Sequence, residues 1–151
     1  MIIGVISDTH GLLRDEAVSA LLGSQHILHA GDIGSAEILS QLATIAPVTA
    51  IRGNVDTEVW ARQLPSTNVV ELDSVFFYLL HDVKALDLNP VAAGFGAVIS
   101  GHSHMPKIEW KQDVLYFNPG SAGPRRFKLP ISVGRIRVEQ GKLQPELIPL
   151  G

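Results

Sequence analysis

The chain has 151 residues, a net charge of −3, 46% hydrophobic and 18% charged residues, and no cysteine. That length suits one domain, 1–151, with a substantial core. Disulfides, thiolate zinc sites and cysteine nucleophiles are excluded, no apolar run is long enough to cross a bilayer, and no basic run marks a nucleic-acid stripe. Met1 to Ile6 enters a strand at once, with neither a basic start nor a cleavage region. The expectation is therefore a cytoplasmic protein without a signal peptide.

Ile2 to Ile6 is apolar on both faces and predicts a central strand. It ends in Ser7-Asp8-Thr9-His10-Gly11, where a carboxylate and an imidazole two residues apart can chelate one metal ion. Taken alone, the same residues also suit a turn cap and a solvated histidine. Arg14 to Leu22 follows as a helix stopped by Gly23. Ile27 to Ala30 predicts a second strand, ending in Gly31-Asp32, with the glycine allowing close backbone approach. His29 lies inside that strand and reads as a packed histidine or a support for ligands, not as a ligand. Ser35 caps a helix to about Ala43. Val48 to Ile51 is the third strand, running into Arg52-Gly53-Asn54-Val55-Asp56. Three such βα-like units place polar groups along one sheet edge.

After Leu64-Pro65 the pattern turns to hairpins. Asn68 to Leu72 and Val75 to Leu80 pair around Asp73-Ser74, and the second strand ends in His81-Asp82. Asn89-Pro90 starts a short helix through about Phe95. Ala97-Val98-Ile99 is a buried strand ending in Gly101-His102-Ser103-His104, and alternation in extended backbone would aim both imidazoles into one pocket. Lys107 to Trp110 with Val114 to Phe117, and Ile131 to Val138 with Lys142 to Ile148, complete the hairpins. Between them Asn118-Pro119-Gly120-Ser121 begins a rigid loop. Trp60 and Trp110 are expected in partial core, although exposed aromatics at an interface would look the same. Arg52 suits either a phosphate contact or a structural ion pair, and Arg125 and Arg126 a phosphate, a subunit contact or solvent.

The strand-terminal clusters Asp8-x-His10, Gly31-Asp32, Gly53-Asn54, His81 and Gly101-His102-x-His104 fall in an order that resembles the metallophosphoesterase (calcineurin-like phosphoesterase) family, from Asp8 to Ser121. The small size, the Asn118-Pro119-Gly120-Ser121 loop and the lack of a large cap are similar to its compact bacterial YfcE-type branch. The resemblance implies an α/β (α+β) fold, a four-layer αββα sandwich of two mixed β-sheets. It further implies a dinuclear metal-dependent phosphoesterase, acting on phosphodiesters or activated phosphate esters through a metal-bridging hydroxide.

By motif position Asp32 bridges the two metals. Asp8, His10 and His104 complete the first site, and Asn54, His81 and His102 the second. Asp32, Asn54 and His102 carry the catalytic assignment. Two cations about 3.5–4 Å apart need a bridging anion. Oxygen and nitrogen donors without sulfur suit two divalent ions per chain, manganese before iron, zinc, nickel or cobalt. The expected partner is a small phosphate ester, with no membrane, and compact relatives leave a homodimer open.

Two positions depart from the family pattern. Val55 stands where many members carry a histidine that protonates the leaving group, which predicts a preference for diesters or activated esters. Asp82 follows His81 where glycine is usual, and suits either a hydrogen bond from a ligand histidine or solvent. A retromer subunit with this fold acts as a protein scaffold, so fold alone does not establish catalysis. A complete ligand set favours the enzyme, because such a cluster is costly to keep buried without metal. A mononuclear metal hydrolase or metal-dependent binding protein is the third reading.

Overall fold

The computed structural model describes all 151 residues as two mixed five-stranded sheets packed face to face. The first has the order β10-β9-β1-β2-β3, with β1 (Ile2–Ile6), β2 (His26–His29), β3 (Val48–Ala50), β9 (Ser132–Glu139) and β10 (Lys142–Pro149). The second has the order β4-β5-β6-β8-β7, with β4 (Thr67–Leu72), β5 (Val75–Leu80), β6 (Ala97–Ile99), β7 (Lys107–Lys111) and β8 (Val114–Asn118). Strands β1, β2 and β3 are parallel to each other, as are β5, β6 and β8, and antiparallel strands flank both trios. The two apolar runs predicted as central, β1 and β6, each occupy the middle of a sheet.

Burial explains the layering. Ile3, Val5 and Leu28 from the first sheet meet Phe77, Ile99 and Phe117 from the second in the core between the sheets. Helices α1 (Asp15–Leu21) and α2 (Ala36–Ala43) cover the outer face of the first sheet through Ala17, Leu21, Ile38 and Leu42. The hydroxyl of Ser35 accepts the Glu37 N–H at 3.2 Å and starts α2 as the sequence predicts. The second outer face is covered more thinly. Tyr78, Leu80 and Val98 lie under Leu86, Leu88 and Phe95, which flank a short 3₁₀ turn (Val83–Ala85) and α3 (Pro90–Ala93). The four layers are thus present, with the fourth reduced to short pieces. Helix α3 stops two residues before the expected Phe95 because Gly94 turns left-handed at φ 80°. A further 3₁₀ turn over Val59–Gln63 has no counterpart in the sequence expectations.

All three hairpins use two-residue turns with both φ angles positive: Asp73-Ser74, Gln112-Asp113 and Gln140-Gly141. This geometry matches the right-handed strand twist and fixes the register. Trp60 packs against the first outer core, but Trp110 is 50% exposed on edge strand β7, contrary to the expected partial core. Lys107, Glu109 and Lys111 line the same strand with charge, which guards an unpaired edge. No helix is long and apolar enough to cross a membrane.

Candidate metal centre

The carboxyl ends of β1, β2, β3, β5 and β6 converge at one edge of the sandwich, and every expected ligand stands at one of those ends. The local backbone differs from the extended geometry that alternation predicts. Asp8, His10, Asp32, His102 and His104 have φ angles of 57°, 47°, 54°, 71° and 62°. Left-handed backbone at a non-glycine residue costs roughly 1–3 kcal/mol, and here it recurs at five ligand positions. The strain re-aims side chains that a continued strand would send to the same face of the sheet.

Consequently His102 and His104 part company. The donor atoms of Asp8, His10 and His104 form one group, and those of Asp32, His81 and His102 another. The His10 and His104 rings lie 5.4 Å apart, and the His81 and His102 rings 5.1 Å apart, edge to face. Asp32 reaches both groups, with Oδ2 3.1 Å from His81 Nε2 and 3.6 Å from His10 Nε2. Asp8 Oδ1 is 3.5 Å from His104 Nε2 and 3.8 Å from both His10 Nε2 and His81 Nε2. Asn54 is exposed and lines an open cleft of about 310 Å³ together with His81, Asp82 and Arg52.

Each carboxylate is held by one oxygen and leaves the other free. Asp8 Oδ2 accepts the Ser7 hydroxyl at 2.7 Å and the His102 N–H at 3.1 Å. Asp32 Oδ1 accepts the Val55 N–H at 3.0 Å. His81 Nδ1–H donates to the Ala30 carbonyl at 2.7 Å, which leaves Nε2 as a lone pair facing the site. Two glycines permit this crowding. A Cβ on Gly31, at φ +100°, would stand 2.7 Å from His81 Nδ1, and one on Gly101 would stand 2.6 Å from Asp8 Oδ2.

These residues fit metal ions by a direct test. Asp8 Oδ1, His10 Nε2, His81 Nε2 and His104 Nδ1 are buried without any hydrogen-bond partner. Asp8 Oδ1 stands 3.8 Å from both His10 Nε2 and His81 Nε2, too far for a hydrogen bond. Several buried polar atoms left unpaired in one place would be costly in a protein that offered them nothing to bind. A cation satisfies carboxylate oxygens and imidazole lone pairs alike, and this donor set suits borderline divalent ions.

The charge pattern of the metal-free cluster agrees. Burial would raise the Asp32 pKa, but His81, the Val55 N–H and His10 outweigh it and hold it at about 2. Asp8 is likewise held below the usual range against burial, by His10 and Ser7. The Asp8 carboxylate raises His10. Burial opposes charging His81, yet Asp32 and the Ala30 carbonyl raise it. Burial lowers His104.

Residues outside the ligand set supply the scaffolding. His29 is wholly buried, as the sequence suggests for a support. Its Nδ1 accepts the Gly31 N–H at 3.1 Å, so Nε2–H donates to Thr9 Oγ1 at 3.0 Å, and Thr9 donates to the Ile33 carbonyl at 2.8 Å. Asn118 donates to the Gly101 carbonyl at 2.9 Å, and Ser121 donates to the Asp8 carbonyl at 3.1 Å. Both hold loops through these bonds.

Asp56 is the group that sequence reasoning passed over. It is buried and accepts the N–H groups of Ile33, Gly34 and Gly53 at 2.8–3.0 Å, tying the Asp32 loop to the Asn54 loop. The only signal was its place two residues after Asn54. Arg52 forms no ion pair, and its guanidinium donates to the Leu64 carbonyl at 3.1 Å. Asp82 Oδ1 accepts the Lys84 N–H at 3.0 Å, while Oδ2 stands 3.8 Å from His102 Nε2.

Comparison with known proteins agrees with this geometry. The calcineurin-like phosphoesterase superfamily domain matches residues 1–141. A probable metallophosphoesterase of Methanothermobacter thermautotrophicus is 35% identical over 163 residues, covering 100% of this chain and 94% of the relative. Phosphodiesterase YfcE of Escherichia coli K12 is 29% identical over 160 residues, covering 86% of this chain and 84% of its own length. The fold superposes on Vps29 of Chaetomium thermophilum with a TM-score of 0.79 at 18% identity, over 99% of this chain and 95% of that one. On its sequence, and with two mixed sheets whose strand ends carry the motif residues in order, the chain belongs to the calcineurin-like phosphoesterase superfamily.

Proposed function

We propose that the chain is a metal-dependent phosphoesterase that hydrolyses phosphodiesters or activated phosphate esters at two divalent cations. Asp8, His10 and His104 would hold one ion, and Asn54, His81 and His102 the other, with Asp32 shared. When bound, such ions act as Lewis acids on phosphoryl oxygens and lower the pKa of water to the neutral range. The observation that carries the reading is the set of four buried donor atoms without partners, gathered from three strand ends.

The chain's own residues have separable tasks. Asp32 presents Oδ2 to both histidine groups while the Val55 N–H fixes Oδ1. His81 is locked in one tautomer by the Ala30 carbonyl, so its metal-facing nitrogen stays unprotonated in the loaded site. His102 and Asn54 are the accessible members, with His102 side-chain exposure at 41%. They stand where a phosphoryl group would arrive. Val55 contributes its backbone N–H and no proton-transferring side chain. Good leaving groups are therefore favoured over alkoxides that need protonation.

The test is hydrolysis of bis(p-nitrophenyl) phosphate by metal-stripped protein titrated with manganese while bound metal is counted. Turnover is expected to saturate near two ions per chain and to vanish in Asp32→Ala. A nitrophenyl diester should exceed an alkyl monophosphate in kcat/KM. Comparable rates would remove the role given to Val55. Two bound ions without turnover of any ester would favour a non-catalytic scaffold, and absence of metal binding would overturn the ligand assignment.

A further inference from the structure

We propose that the groove beside His102 is a subsite for a second anionic group, so that the preferred substrate is a phosphodiester carrying another phosphate on one arm. This rests on the phosphoesterase reading of the metal centre. The groove, about 690 Å³, is the largest open space in the molecule near the site. It begins at the Gly101-His102-Ser103 loop and is lined by Lys84, Lys107, Lys111 and Arg126 against two carboxylates, Asp82 and Glu109. In a chain of net charge −3 that local excess of cations is against the trend.

The cations fall into two kinds. Lys107 and Lys111 are engaged with Glu109 at 2.7 Å and 3.6 Å. Lys84 and Arg126 make no ion pair, and both side chains are exposed to the groove. They are the groups left for an anion. Arg126 also lines the smaller opening beside His10 and His104, so its charge spans both donor groups. Met105 and the half-buried Tyr116 ring line the same groove, and Lys111 Nζ stands 4.9 Å from the ring centroid. An arm leaving phosphorus past His102 would enter a groove that offers both apolar surface and unpaired cations. That combination suits a ring-bearing spacer ended by a dianion. The opposite cleft, beside Asn54, holds Asp82 and Asp87 against Arg52 alone, and is the poorer choice for negative charge.

A matched pair of substrates tests this. The p-nitrophenyl ester of thymidine 5′-phosphate and the same ester bearing a 3′-phosphate share the scissile bond and leaving group. The 3′-phosphate is expected to raise kcat/KM by about tenfold at low salt, and the gain should shrink with added salt. In Lys84→Ala/Arg126→Ala the ratio between the two esters should fall toward one. Binding of thymidine 3′,5′-bisphosphate against thymidine 5′-phosphate, measured by calorimetry, should show the same preference without turnover. A ratio near one in the unmodified protein, or a ratio that survives the double substitution, overturns the subsite while leaving the phosphoesterase reading intact. Failure to hydrolyse either ester overturns the phosphoesterase reading, and the calorimetric ratio then decides the subsite alone. Displacement of the bisphosphate only by long single-stranded DNA would point to a polymer ligand and overturn the small-substrate proposal.

Discussion

The two halves of the metal centre are built differently. Asp8 and His104 are almost wholly buried, and their loops are stitched by Ser7, the His102 N–H, Ser121 and Asn118. In the other half the floor is equally firm, with Asp32 held by Val55 and His81 by Ala30. Its remaining members, His102 and Asn54, face open space. A donor set with two almost wholly buried members, beside the half-buried His10, favours a resident ion. A donor set with two exposed members favours exchange and would admit a substrate oxygen. The two candidate donor groups thus share one fold edge and differ in burial.

The largest effects should come from removing one anchor in each half. Asp8→Ala deletes a carboxylate that faces three histidines and also fixes the His102 backbone. Metal uptake is expected to fall from two ions per chain to none, with hydrolysis reduced by at least about 10³-fold. His102→Ala should cost as much activity yet retain one ion. Loss of both ions in His102→Ala would show the halves to be one cooperative unit and break the comparison.

Next in size is the acid response of the metal-free protein, which His29 governs from between the halves. Burial lowers its pKa to about 4 from 6.5. Between those values the unfolded chain binds the proton and the folded chain does not. The contribution is therefore complete above pH 6.5 and lost as pH falls toward 4, a difference of about 3 kcal/mol. His10 and His81 are raised and act in the opposite sense, favouring the folded state at low pH. The difference between the unmodified protein and His29→Gln isolates the single group. Urea unfolding at pH 7 and pH 4 should show a shallower loss in the variant, and equal slopes would mean that His29 opens to solvent before unfolding.

These residues also mark how far the sequence could be read. Strand ends were legible because glycine, acid and histidine interrupt apolar runs at Asp8, Asp32, Asn54, His81 and His102, and a run of three apolar residues such as Ala97 to Ile99 suffices for a buried central strand. The partition of His102 from His104 did not follow from alternation. It depends on left-handed backbone that only tertiary packing enforces. Asp56 was illegible for a related reason. Its partners are backbone amides, those of Ile33 and Gly34 lying 23 and 22 residues away and that of Gly53 three, and amides carry no side-chain signature. In the thin second helical layer α3 was legible from Asn89-Pro90, while the turn over Val83–Ala85 was not, because short 3₁₀ turns lack the periodicity that reveals a helix.

Asp56→Asn tests that hidden support on the open half. Asparagine keeps the shape but turns an N–H₂ toward amides that themselves donate. Outer supports of metal ligands are typically worth about 10–100-fold in affinity. The weaker-bound ion should lose that much, with the tighter one unmoved, as read by competition with a chelating dye. Equal losses at both ions would move Asp56 from one half to the whole site.

The smallest effect belongs to the closed half and sharpens the contrast most. Ser121 donates one hydrogen bond to the Asp8 carbonyl and touches no donor atom. Ser121→Ala leaves that buried carbonyl short of one partner, a loss of about 1 kcal/mol and a fall in Tm of roughly 2–4 °C for a chain of this size. If the first ion is held by burial and several redundant anchors, its affinity should change by less than about fivefold, since 1 kcal/mol spread over folding and binding cannot exceed that. A larger loss confined to the first ion, with Tm unchanged, would mean that the left-handed turn at Asp8 rests on this one hydroxyl. The closed half would then be finely balanced, and its tight hold on metal would come from stored strain released on binding.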